Sequence, residues 1–201
     1  MLPISVDLAQ IRVILVGDGA AAGRRLALLE EAGADALEIY APRPEPALAL
    51  AAGDRLRRRL PLAAEIAQAH LVFLAGVPDP AAAEIRRAAQ AAGVLINVED
   101  DRQRSDFHSA AVFRRGDLTV AISTNGKSPG LAALIRQMLE HRIGSEWELR
   151  LNELGALRQG WRKAGADPEA IGRWTQKWVD QHGWLGPAPR DSSHHRLRPI
   201  P

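Results

Sequence analysis

The chain of 201 residues contains no cysteine. Disulfide staples and thiolate metal centres are therefore excluded, and no metal site is expected. Aromatic residues make up only 4% of the chain, and its five tryptophans all follow residue 146. Lysine is scarce too, occurring only as Lys127, Lys163 and Lys177. Arginine carries nearly all the positive charge, yet the net is only +2. No basic stripe interleaved with aromatics is present, so nucleic acid is not an expected partner. No run approaches the roughly 18 apolar residues of a membrane span, and no N-terminal stretch joins a basic start to a long apolar segment. The chain reads as soluble and cytoplasmic, with no membrane partner. At 46% hydrophobic it has enough apolar surface for one ordinary domain plus an appendage, or for two small domains. Its arginine and alanine content fits a GC-rich coding sequence. Arginine also suits a polyanionic ligand, because it pairs bidentately with carboxylate and phosphate.

What is present is most informative near the start. Ile11–Val16 is a buried-strand pattern running into Gly17-Asp18-Gly19-Ala20-Ala21-Ala22, a Gly-x-Gly-x-x-Ala turn, and helical spacing follows from 20 to 32. In that context Gly17 makes the tight turn, Gly19 lets a pyrophosphate approach the backbone, and Ala22 lets helix and strand pack closely. The helix N-terminus supplies unpaired N–H groups and a positive dipole end. Together they point to a dinucleotide.

Further strands are expected at 36–40, 71–75 and 94–98. Helices are expected at 62–68 and from Pro80 to about Ala92, with Gly33 and Gly93 as stops. The Pro- and Arg-rich stretch 43–61 has no clear assignment. Strands alternating with helices argue for a parallel sheet with right-handed crossovers. After residue 100 the pattern changes. Segments 110–114 and 118–123 read as a hairpin around Arg115-Gly116-Asp117, and Ser128-Pro129 opens a helix to about His141. Residues 146–185 are helical with a break near Gly165–Pro168. The expected fold is α/β: a Rossmann-like doubly wound parallel sheet, a small α+β dimerisation segment and a helical C-terminal part. The expected domains are 1–112 (dinucleotide-binding), 113–143 (dimerisation and substrate), 144–186 (helical) and a disordered tail at 187–201.

Several pieces, taken in order, resemble the precorrin-2 dehydrogenase domain of siroheme synthases. They are Leu2-Pro3-Ile4 with Asp7-Leu8, Val16 to Ala22, Ala34 to Pro42, Asn97-Val98-Glu99-Asp100-Asp101, Asp106-Phe107, Arg115 to Leu118, and Ala121 to Pro129 leading into Leu131 to Glu140. The resemblance covers about residues 1–141. It implies NAD-dependent oxidation of precorrin-2 to sirohydrochlorin, with iron insertion to siroheme in some members, and a homodimer. Three departures stand out: Leu74-Ala75-Gly76 where the family has Ala-Ala-Thr, no proline soon after Phe107, and Asn125 where glycine is common. At this length no methyltransferase domain, such as fused siroheme synthases carry, is expected.

The candidate site follows. Asp100, just past a strand end, is the carboxylate that would take a proton beside the nicotinamide, and it matches the family's functional Asp. On its position alone, capping the next turn is the commoner use of such an Asp. Cofactor contacts are expected from Gly17, Asp18, Gly19, Ala20, Ala21 and Ala22, from Tyr40, Ala41 and Pro42, and from Ala75 and Gly76. Glu38 lies near the spacing of a ribose-binding acid but inside its strand. NAD rather than NADP rests on the resemblance, and Arg43 leaves NADP open. Thr124, Asn125, Gly126, Lys127 and Ser128 form a polar loop before a helix, suited to a carboxylate of the polyanionic substrate or to plain capping. Two other readings stay open: a dinucleotide sensor without chemistry, and a tetrapyrrole carrier.

Overall fold

The expected first strand exists because five consecutive positions, Val13 to Gly17, can be buried on both faces of a sheet. A computed structural model of the chain describes residues 2–186; the expected tail at 187–201 lies outside them. After a short 3-10 turn, β1 (Arg12–Gly17) leads into α1 (Gly19–Glu31), β2 (Ala36–Tyr40), α2 (Pro46–Ala52), a second 3-10 turn, β3 (Leu56–Arg57), α3 (Ala63–Ile66), β4 (Leu71–Ala75), α4 (Ala81–Ala92) and β5 (Leu95–Val98). The five strands are parallel, in the order β3-β2-β1-β4-β5.

Side chains on β1 alternate between two cores, as the two-residue period of a strand requires. Val13 and Leu15 join Leu37, Ile39, Leu71 and Phe73 beneath α1 and α2. Ile14 and Val16 join Tyr40, Val72, Leu74 and Ile96 beneath α3 and α4. Helices therefore cover both faces, the doubly wound α/β arrangement expected from the alternating pattern. Gly93 ends α4 at φ 70°, the left-handed conformation that glycine adopts without strain.

By internal contacts the chain divides into two units. One holds residues 1–110 with Asn125–Ser128; the other holds Ala111–Thr124 and the chain from Pro129. In the second, β6 (Ala111–Arg115) and β7 (Leu118–Ile122) form an antiparallel hairpin. Helices α5 (Pro129–Arg142) and α6 (Glu146–Lys163) pack on it, and α7 (Pro168–Gln181) packs on α6. Arg115 donates to the carbonyls of Glu140 and Ile143 and so caps the end of α5. The tryptophans pack within this unit: Trp161 meets Trp174 edge-on at 5.5 Å, Trp178 stacks on His182 at 4.3 Å, and Arg150 lies over both Trp147 and Trp184. Among the described residues no helix is long and apolar enough to cross a membrane.

Candidate dinucleotide site and acidic turn

Strand order reverses at β1: β2 and β3 lie on one side, β4 and β5 on the other. Open α/β sheets bind ligands in the crevice at that reversal, beyond the carboxyl ends of the strands. Gly17 ends β1 there, paired in register with Ala75 at the end of β4. A β-carbon on Gly17 would lie 1.8 Å from the Ala75 carbonyl oxygen. Only glycine permits this approach. Gly76, at φ +70°, packs so closely that its β-carbon would be 3.0 Å from the Asp18 carbonyl. The departure from Ala-Ala-Thr therefore falls where the end of β4 meets the turn.

Gly19 opens α1, and Ala22 is buried against the sheet. Asp18 precedes the helix in extended conformation and does not cap it with its side chain. The first turn carries no acidic residue. The amides of Gly19, Ala20 and Ala21 thus keep the donor capacity that every helix start leaves over, suited to a diphosphate. One Asp18 carboxylate oxygen is buried without a hydrogen-bond partner.

The end of β2 offers less than its position implies. Tyr40 is fully buried on the α3 side of the sheet, and its hydroxyl donates to Glu38 at 2.8 Å. Burial, and then Glu38, push that phenol well above its ordinary value. Arg59 forms a fork with Glu65 (2.5 and 2.7 Å), lies over the Tyr40 ring, and with the Leu62 amide pulls the Glu65 carboxyl down to about 2. Ala41 is buried in the opposite core, and Pro42 is exposed. At Tyr40, then, the main chain alone can meet a cofactor. Glu38 shares Tyr40's face and lies 3.7 Å from Arg57. A cavity of about 530 Å³ adjoins these residues, walled by Arg12, Asp35, Glu38, Arg57 and Glu65, and none of the turn residues lines it.

Beyond β5 the structure separates the three acids that the sequence leaves together. The Glu99 amide donates to the Leu74 carbonyl, holding this turn at the end of β4, and its carboxylate lies 3.8 Å from Arg24. Asp101 accepts from the Arg104 amide and side chain, and Arg104 also pairs with Asp79. The Arg104 contact holds the Asp101 carboxyl below its usual range. The capping role weighed for Asp100 thus belongs to Asp101. Asp100 itself is exposed, adopts φ 58°, and makes no side-chain hydrogen bond among the described residues. Left-handed backbone is uncommon outside glycine and recurs at functional sites.

Arg25 on α1 reaches under this turn. Its guanidinium lies over Phe73, 5.2 Å from the ring centre, and donates to the Ser109 hydroxyl at 2.7 Å. Burial lowers its pKa, and the charges of Glu99 and then Asp100 oppose the shift. The segment after Asp101 is laid along β5 by side chains: Ser105 bonds both the amide and the carbonyl of Val98, Asp106 accepts from the Ile96 amide, and Asn97 donates to the Phe107 carbonyl.

The polar loop meets the acidic turn through Arg102, which donates to the Asn125 side chain at 3.0 Å and lies against Gly126. Asn125 stands at φ 55°, which explains why glycine suits that position. Lys127 is exposed and Ser128 half-buried, and Thr124 falls in the second unit. His108 is exposed, and no group of three or more His, Asp or Glu that could hold a metal occurs among the described residues. Sequence reasoning missed two residues near the turns, Arg25 and Glu45. Glu45 carries a faint signal as an acid before a helix-opening proline, but it lies 28 positions after Gly17 rather than about 20.

Residues 4–111 match the model of an NAD(P)-binding family, and residues 115–142 match that of the sirohaem biosynthesis protein central domain. The chain belongs to the NAD(P)-binding family of the siroheme synthases. Among its siroheme synthase relatives, that of Tolumonas auensis is 31% identical over 84% of this chain and 39% of its own length. Siroheme synthase 1 of Aeromonas salmonicida is 40% identical over 69% of this chain and 30% of its own. The chain thus spans about two fifths or less of the length of these two siroheme synthases. A solved structure of SirC, precorrin-2 dehydrogenase, shares the fold, with a TM-score of 0.72 at 20% identity over 92% of this chain and 93% of the other.

Proposed function

We propose that this chain oxidises precorrin-2 to sirohydrochlorin with NAD, a step of siroheme biosynthesis. The observation that carries the reading is Asp100, an unpaired carboxylate in strained backbone next to the β1/β4 crevice. NAD, when bound, accepts the hydride. The chain's own residues do the rest. The amides at the start of α1 hold the diphosphate, and Gly19, where only the end of the Glu45 side chain comes within 4 Å of a β-carbon, leaves the main chain open to it. Asp100 takes the proton that leaves the macrocycle with the hydride. Asn125, Gly126, Lys127 and Ser128, with Thr124, receive substrate carboxylates. The family match and the likeness to siroheme synthases support this assignment. The protein acts as a cytoplasmic homodimer held by the 113–143 segment, which sedimentation tests directly.

Purified protein given precorrin-2 and NAD is expected to form sirohydrochlorin and NADH together. Asp100→Asn keeps a side chain that tolerates the left-handed backbone while removing the base. It is expected to lower kcat at least about 100-fold and leave NAD affinity nearly unchanged. Full turnover in that variant removes Asp100 from the reaction. Tight NAD binding by the wild type without turnover favours a sensor or carrier instead.

A further inference from the structure

The dinucleotide reading leaves the ribose unaccounted for, because the end of β2 presents a buried tyrosine, a buried alanine and a proline rather than an acid. The geometry points to Glu45, on the far side of that loop, as the residue that binds the adenosine ribose hydroxyls and selects NAD over NADP. This rests on the dinucleotide reading above.

Glu45 immediately precedes α2 but does not use its carboxylate to cap that helix. The side chain reaches across to the phosphate turn instead. A β-carbon built on Gly19 would lie 3.5 Å from Glu45 Oε1 and 3.9 Å from its carboxyl carbon. Gly19 is the position where the absence of a side chain lets a dinucleotide approach the main chain. Glu45 is exposed and makes no hydrogen bond or ion pair among the described residues. No α1 amide donates to it, so it stands beside the diphosphate cradle rather than plugging it.

The placement is built in. Leu48 and Ala52 of α2 are buried in the same core as Ala22, Leu26 and Leu29 of α1. Arg55, just after α2, pairs with Glu30 in the last turn of α1 at 2.5 Å and donates to the carbonyls of Ala51 and Ala52. The start of α2 is therefore set beside the start of α1, and its end beside α1's end. A carboxylate fixed there accepts hydrogen bonds from the 2′ and 3′ hydroxyls. It repels a 2′-phosphate, which carries charge of the same sign.

The test is calorimetric titration of the intact chain, wild type, Glu45→Gln and Glu45→Ala, with NAD and with NADP. The wild type is expected to prefer NAD. Glu45→Ala is expected to weaken NAD about tenfold or more and to move the NAD-to-NADP affinity ratio toward NADP by at least as much. Glu45→Gln, which keeps an acceptor but drops the charge, is expected to recover part of the NAD affinity while still admitting NADP. NAD affinity and the ratio both unchanged in Glu45→Ala overturn the assignment of Glu45 and leave the dinucleotide site standing. A wild-type chain that binds neither nucleotide overturns both.

Discussion

A single methyl group at position 17 separates two kinds of glycine in the turn. At Gly17 it would be driven into the Ala75 carbonyl at 1.8 Å, so this glycine is required by the fold. At Gly19 only the end of the Glu45 side chain comes within 4 Å, so that glycine is kept open for a ligand. Gly17→Ala is expected to destabilise the protein by about 3 kcal/mol, since β1 and β4 must part to admit it. Urea denaturation checks this, and an unchanged midpoint would mean that the two strand ends are not packed as described. The sequence marks both glycines but does not tell them apart, because the difference lies in which backbone runs alongside. The acidic triplet behaves likewise. Its three members look equivalent in sequence, and partners 3 to about 75 positions away decide that Arg104 holds Asp101 and Arg24 approaches Glu99 while Asp100 stays free.

At the scale of elements, legibility follows the length and strength of the hydrophobic pattern. β1 and β4 announce themselves as unbroken apolar runs and α1 and α4 by repeated helical spacing, and glycine stands at or just beyond the end of each. The stretch 43–61 does not, yet it contains α2, β3 and the residue assigned here to the ribose. With seven residues, α2 is too short to be stable on its own. It exists because Pro46 starts it and because Leu48 and Ala52 are buried against α1. The path of segment 101–107 carries no strand or helix pattern either, since Ser105, Asp106 and Asn97 attach it to β5 through side chains. If α2 is held by tertiary packing, Leu48→Ala is expected to cost about 2–5 kcal/mol of unfolding free energy. A loss below about 0.5 kcal/mol, the range of ordinary surface changes, would show that α2 is not docked on α1.

At the scale of the whole chain, the two units carry different optical labels. All five tryptophans follow residue 146, in the second unit, while the lone tyrosine, Tyr40, is buried in the first. Tryptophan emission therefore reports the helical part and says little about the phosphate turn, so the turn needs another readout. Binding that favours the folded state stabilises it by RT ln(1 + [L]/Kd), about 2.7 kcal/mol at about 100 times Kd. Amides of β1 and β4 lie at the centre of the parallel sheet and are expected to exchange only when the first unit opens as a whole. Under exchange controlled by that opening, NAD at about 100 times Kd is expected to slow hydrogen exchange in Val13–Val16 and Val72–Leu74 about 100-fold. Unchanged exchange there, with NAD shown to be bound, would place the nucleotide somewhere other than the crevice where the strand order turns back.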